Sequence, residues 1–592
     1  MRLAALAALL VGAFVLVPSA AAGEPASSTV TLVPAPSLQV PAPAKPTRTQ
    51  SGVVALFLAA GKVHDWVGRY AKSSLVTESD FDSTTRSWKV QVWSGRAGEI
   101  AMGRVDDRTG RVTEAWTGPQ VAWTMARGQS GAFGGKEINS WPVWVVFSAI
   151  FLIGLAELRR PLSLRNLDLL ALLSFSVSLW FFNHGLIFSS VPLVYPGLLY
   201  LLVRSLVIGI RGRTARASAP VWPVWLLAAA TVFLLGFRID LNVTDSNVID
   251  VGYAGVVGAQ RVASGETPWG HFPVQTATTC APADAEGNFS WFRQTNGRCE
   301  AAAPTGDTYG PVAYEAYLPG YAALGWKGFG DRLEAARFTS IMFDLLAMAG
   351  LALVGWRFGG SRLAVTLAFA WAAYPFTQYV SSTNTNDAIG PVLLIFGFWL
   401  VSSPPARGAF AALAGWTKFA ALLVAPLWAT YPDARRLRPA LIFTAAFAAA
   451  TIAAFSILLL DGDPLHAARV FYDRTLPTQI GRESPFSLWD WRQFHAGLPD
   501  LHVLQYVLEG LVIAAALVLP FAPRRKSPLQ LAALTGALLV GLEIVMTHWF
   551  YAYLAWFFPF VAFALLLPAA EREPVTATEP RGRPVRELVT TG

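Results

Sequence analysis

Charge is what this sequence has least of. Asp, Glu, Lys and Arg make up 14% of its 592 residues, against roughly 25% in an ordinary soluble domain. Hydrophobic residues make up 54%, with 22 Trp and 37 Phe. That balance excludes a soluble globular protein of this length. Cysteine is nearly absent as well: Cys280 and Cys299 are the two in the chain, with eighteen residues between them in a Gly-, Asn- and Asp-rich stretch. So few thiols exclude a cysteine-built metal cluster, and the nearest histidine is His271. In an oxidising compartment the pair is expected to form one disulfide stapling its loop. No internal repeat is evident, which counts against the commoner transporter folds.

What is present is a series of apolar runs. From Trp141 to Leu567 they recur at lengths near the ~20 residues that cross a hydrocarbon core, so the chain reads as a polytopic α-helical membrane protein. Its first 22 residues carry Arg2, a short apolar core and small residues before Gly23. This is a signal-peptide pattern, with an uncleaved anchor as the alternative. Residues 23–50 are a Pro/Ala-rich linker. Basic clusters at Arg159–Arg160–Arg165, Arg211–Arg213–Arg216, Arg435–Arg436–Arg438 and Arg524–Arg525–Lys526 are assigned to the cytoplasm by the positive-inside rule. The loops 239–332 and 461–501 then fall outside, and the tail 569–592 inside. Parity requires two short helices hinged at Lys418, giving about thirteen membrane segments. The net charge of +8 follows from this topology, and no nucleic-acid partner is needed.

Between linker and membrane, residues 51–135 read as a small α+β domain outside the cytoplasm. Val53, Leu56, Phe57 and Ala60 have helical spacing. SWKVQVWS alternates as a strand, and EIAMGRVDDRTGRVTEAW reads as a hairpin turning at Asp106–Gly110. VDDRTGRVTEAW resembles the strand-turn-strand signature of PepSY-like domains, which implies a binding or regulatory role. His64 and Asp65 read as solvated helix residues. Three accessory helices within 141–210 follow, then the segment 221–568.

The candidate chemistry begins after the span at 221–238, in RIDLNVTDSNVIDVGYAGVVGAQRVASG. Asp240, Asp245 and Asp250 are spaced by five, so no regular helix gathers them, and a shared metal site is not expected. From Asp250 a helix of about four turns is predicted to run to Gly265, with Asp250 at its entry and Tyr253 on the same face. A carboxylate there is either a reactive group or simply a helix cap favoured by the dipole. On the other outer loop, Arg469, Arg474, Arg482 and Arg492 stand among aromatics. They suit phosphate contacts, or they pair with local acids. His548 and Tyr551 are expected at the outer surface, lining a lipid groove or an aromatic belt.

Together these motifs resemble the GT-C superfamily of membrane glycosyltransferases. The likeness is greatest to mannosyl- and arabinofuranosyltransferases that take sugars from polyprenyl phosphates. It is carried, over 221–568, by D-x-x-Y-A from Asp250, by YGPVAYEAYLPGYAALGW from Tyr309, by Arg337, by TNTNDA with Asn386 and Asp387, and by LAGWTKFAALLVAPLW with Lys418. The resemblance implies transfer from a polyprenyl-phosphate-linked sugar donor to an extracytoplasmic glycan, lipid or protein, in the bilayer; no cofactor and no metal ligands are assigned. It implies Asp250 as general base, with Asp245 in reserve. Tyr253, Tyr309, Arg337, Asn386, Asp387, Lys418, Arg474, Arg482, Arg492 and His548 are the implied substrate-binding set. Members of the superfamily often carry a second acid beside the first, whereas Val251 follows Asp250 here. The alternative class is a transporter or flippase, kept open by the in-span acids Asp344 and Glu543. A sensor ranks last, since the sequence offers no cytoplasmic output domain.

Overall fold

The computed structural model describes residues 45–568 apart from 84, 95–97, 119–120, 122–132, 185, 213–221, 271–273, 276–290, 294–298, 302–305, 327–332, 481–483 and 495–498. The signal-like start, most of the linker, Cys280, Arg482 and the tail therefore lie outside the described residues, as does the side chain of Cys299 and with it the disulfide.

The first folded unit is an antiparallel sheet with two helices laid on it. Helices α1 (Gln50–Leu58) and α2 (Gly61–Val67) precede strands β1 (Leu75–Asp82), β2 (Ser87–Ser94), β3 (Gly98–Asp106) and β4 (Val112–Thr117), which pair in sequence order. The expected helix forms, and of its predicted apolar positions Val53 and Phe57 are buried with Val90, Val92 and Val105 of the sheet, whereas Leu56 is exposed and Ala60 lies beyond the helix end. The β3–β4 turn forms where DDRTG predicts it. Asp106 Oδ1 accepts from the Thr109 backbone N–H at 2.6 Å, and Gly110 takes the left-handed φ of 72° that the turn requires. Asp107 is buried beneath it and accepts from Thr47 and from the Trp88 indole, so the start of the unit is tied to its hairpin. His64 and Asp65 are solvent-exposed, as expected.

The remainder is mainly helical, with one small three-stranded sheet of Val274–Gln275, Trp291–Arg293 and Cys299–Ala301. Among the described residues six helices are long and apolar enough to cross a membrane: Leu164–Asn183, Ile187–Arg211, α3 (Val224–Asp245), α5 (Glu334–Ala373), Leu437–Leu460 and α8 (Pro528–Val545). Five shorter apolar helices accompany them, among them Trp141–Leu155 and His502–Val518. The amphipathic α4 (Asp250–Ala263) follows α3 directly. Helix α5 is two helices joined at a kink, where Gly360 adopts φ 70°. The turn bearing Arg357 and Arg362 is thus a sharp bend rather than a loop. After it come α6 (Pro375–Thr383), α7 (Pro404–Lys418) and, past α8, α9 (Leu554–Leu566).

One expectation about α3 is corrected. The apolar span was predicted to stop near residue 238, with a polar loop from 239, but the helix continues to Asp245. The extension is held by partners distant in sequence. Arg238 is wholly buried and pairs with Asp344 of α5, its Nε donating to Oδ2 at 2.9 Å. The Trp371 indole donates to the other oxygen at 2.7 Å. One turn later Asn242 donates to the Ser381 carbonyl at 2.6 Å and to Asn384 Oδ1 at 2.9 Å. Polar side chains inside a membrane helix are costly unless partnered, and these are partnered across α3, α5 and α6.

Candidate functional site

The site is built around the end of α6. Asn384 takes a left-handed conformation there, φ 54°, which asparagine tolerates better than most residues. Its amide donates to Ser246 Oγ and to the Asn247 carbonyl, both at 2.9 Å. The polar tract TNTND, read as one motif in the sequence, therefore divides its labour. Asn384 clasps the chain that follows α3, and Asn386 and Asp387 open the next helix.

Helix α4 packs against this corner because its inner face is nearly bare. A methyl group on Gly252 would meet the Asn384 carbonyl oxygen at 2.3 Å, and one on Gly258 would meet the Tyr314 ring at 2.0 Å. The repeated glycines of DVGYAGVVG thus let a turn and two aromatic rings lie directly on the helix backbone. Asp250 is the first helical residue, exposed, with Oδ1 accepting from Val251 N–H at 3.0 Å. Tyr253, on the same face, packs edge-on to Trp326 at 5.7 Å, and with Tyr309 it covers Ala254.

Tyr309, Asn386, Asp387 and Lys418 come from three separate stretches of sequence and meet at one place. Helix α7 ends at Lys418, since Phe419 turns left-handed with φ 55°. The Lys418 ammonium lies 2.6 Å from Asp387 Oδ1, and the Trp556 indole donates to the same oxygen at 3.0 Å. Three rings surround the ammonium, with centroids at 5.3 Å for Tyr309 and Tyr553 and 5.7 Å for Trp556, within the range of cation–π attraction. Gly310 holds Tyr309 there: its N–H donates to the Thr417 carbonyl at 3.2 Å. A methyl group on it would meet the Trp416 carbonyl oxygen at 1.9 Å. Asn386, Asp387, Thr417, Lys418 and Trp556, with Gly390, Pro391, Leu394 and Leu539, line a narrow, partly open cleft.

The other expected residues have different surroundings. Asp245, the reserve base, accepts from the Glu137 backbone N–H at 2.6 Å, so it anchors the segment entering the first apolar helix. Arg337 donates to the carbonyls of Val243 and Ser246 at 3.0 and 2.8 Å and caps the C-terminal end of α3. Arg474 pairs with buried Asp307 at 3.0 Å. Asp307 also takes the Gly270 N–H at 2.6 Å, so this arginine supports the segment that carries Tyr309. Arg492 is exposed and pairs with Asp500 at 3.2 Å. His548 Nδ1 lies 2.9 Å from Ser484 Oγ, and its ring neighbours Tyr553 at 6.4 Å, but it does not line the cleft. Tyr551, expected at the surface, is buried with its hydroxyl 2.6 Å from Ser178 Oγ.

Sequence reasoning missed several groups. Trp556 and Tyr553 sat inside a run of aromatics that an interfacial belt explained equally well. Glu315 lay inside YGPVAYEAYLPGYAALGW without being singled out, yet burial pushes its carboxyl up to about 7. Of the two in-span acids, Asp344 is neutralised by Arg238. Glu543 is buried with Oε2 accepting from the Trp549 indole at 3.1 Å, and its Oε1 has no hydrogen-bond partner among the described residues. Among the described residues no three His, Cys, Asp or Glu side chains are grouped to hold a metal. Comparison with protein-family models and with curated proteins returns no match to this chain.

Proposed function

We propose that the chain is a membrane glycosyltransferase that moves a sugar from a polyprenyl-phosphate donor to an acceptor outside the cytoplasm. The observation that carries this reading is the convergence at the cleft. A lysine–aspartate pair, an asparagine amide and three aromatic rings meet beside the helix that begins at Asp250. In this reading about thirteen segments cross or enter the membrane, and the 239–332 and 461–501 loops face outward. The small α+β domain stands on that outer side in a PepSY-like binding role. Asp250, exposed at the head of α4, is the group with room to take a proton from an acceptor hydroxyl, whereas Asp245 is occupied.

The deciding assay is transfer from synthetic polyprenyl-phosphate sugars by purified protein, wild type beside Asp250→Asn. A positioned base contributes roughly 10²–10⁴ in rate, and a loss of that size is expected. Undiminished transfer by the variant would remove Asp250 from the role. A second reading, transport of a lipid-linked or small solute, is favoured by Glu543, a buried acid with one unengaged oxygen. Solute or lipid translocation without glycosyl transfer would select it.

A further inference from the structure

The cleft holds an asparagine whose amide is unused. Asn386 is 1% exposed, and neither its Oδ1 nor its Nδ2 has a hydrogen-bond partner among the described residues. Burying a polar group in that way is costly, and this one does so while lining the cleft. The charges beside it are already compensated. Asp387 takes the Lys418 ammonium and the Trp556 indole on one oxygen. The ammonium is covered by three rings. A second anion here would sit against the Asp387 carboxylate without an uncompensated cation to receive it. A neutral group that both donates and accepts meets no such conflict, and it matches an amide that offers two N–H donors and one carbonyl acceptor. The rest of the lining, Trp556 with Gly390, Pro391, Leu394 and Leu539, suits the carbon-bound face of a ring.

We infer that Asn386 reads a hydroxyl group of the transferred sugar, and that the cleft selects the sugar rather than anchoring the lipid phosphate. This rests on the glycosyltransferase reading and assigns the ring, not the phosphate, to this part of the site. An amide left unpaired by a ligand lacking that hydroxyl gives discrimination that an apolar pocket cannot.

The test is thermal stabilisation of the purified full chain by short-chain polyprenyl phosphates carrying mannose, arabinofuranose or no sugar. The wild type is expected to bind one sugar-bearing lipid about tenfold more tightly than the bare lipid phosphate. Asn386→Leu, similar in size, is expected to bind the two alike, while the remote surface variant Arg160→Gln keeps the difference. Should Asn386→Leu fail to melt cooperatively, Asn386→Asp serves in its place, because it keeps the shape but adds a negative charge and lacks the NH2 donors. An asparagine variant that folds and keeps the full preference overturns the inference and leaves the functional reading intact. A wild type indifferent to the sugar on every lipid overturns the functional reading, and the inference with it.

Discussion

Asp387 Oδ1 receives both the Lys418 ammonium and the Trp556 indole N–H, so one carboxylate oxygen joins the end of α7 to α9. Removing one member of a buried pair strands the other, at a cost of about 3–5 kcal/mol. Asp387→Asn is therefore expected to lower the unfolding temperature in detergent and to abolish transfer. The double variant Lys418→Met/Asp387→Leu should regain most of the stability and none of the transfer. Equal loss of stability in the single and double variants would argue against the pair.

Arg238 and Asp344 form a second buried pair, and neither lines the cleft. Arg238→Met is expected to destabilise by a similar ~3–5 kcal/mol, and Arg238→Met/Asp344→Leu to recover. Here the double variant should keep its transfer rate, because the pair braces α3 against α5 and touches no part of the cleft lining. Loss of solute movement in that double variant, with folding intact, would instead point to an ion path through the helices.

Asp245 separates structural from chemical carboxylates in the opening motif. Asp245→Ala removes the acceptor of the Glu137 N–H, which typically costs about 1–3 kcal/mol for a charged partner. Protease cleavage near residues 133–140 should accelerate, and transfer should fall less than in Asp250→Asn. The reverse ranking of the two rates would restore Asp245 as the base.

Glu315 contributes stability that is lost toward neutral and alkaline pH. Burial raises its folded value to about 7, above the roughly 4.3 of an unfolded chain. A raised value means the folded state prefers the protonated acid, so this contribution is complete below about pH 4 and is lost as pH rises through about 7. Melting temperature is expected to decline across that window in the wild type and more shallowly in Glu315→Gln. Parallel profiles would show that the carboxyl is solvated.

Legibility in the sequence followed the physical range of each signal. Local signals survived well. The alternation of β2, the DDRTG turn, the apolar helices and the entry of α4 at Asp250 all depend on neighbours a few residues away. Long-range polar pairing was invisible. Arg238 looked like the edge of a span because its partner is 106 residues on, and α3 was cut short for that reason. Arg337 was read as substrate-binding from the family resemblance, and Arg474 as a phosphate ligand or the partner of a local acid; the guanidiniums serve a helix terminus and the buried Asp307 instead. The cleft lay between these cases. Asn386, Asp387 and Lys418 stood out as polar residues in apolar surroundings, whereas Trp556 and Tyr553 were hidden among similar neighbours.

Gly310 has a consequence for how the cleft could be altered. The backbone of the Tyr309 segment rests on the final turn of α7 with no room for a side chain between them. One added carbon would lift the phenol ring away from the ammonium while every formal charge stayed in place. The cover over Lys418 is thus set by a steric tolerance smaller than a methyl group, and alanine at this position would act as a wedge.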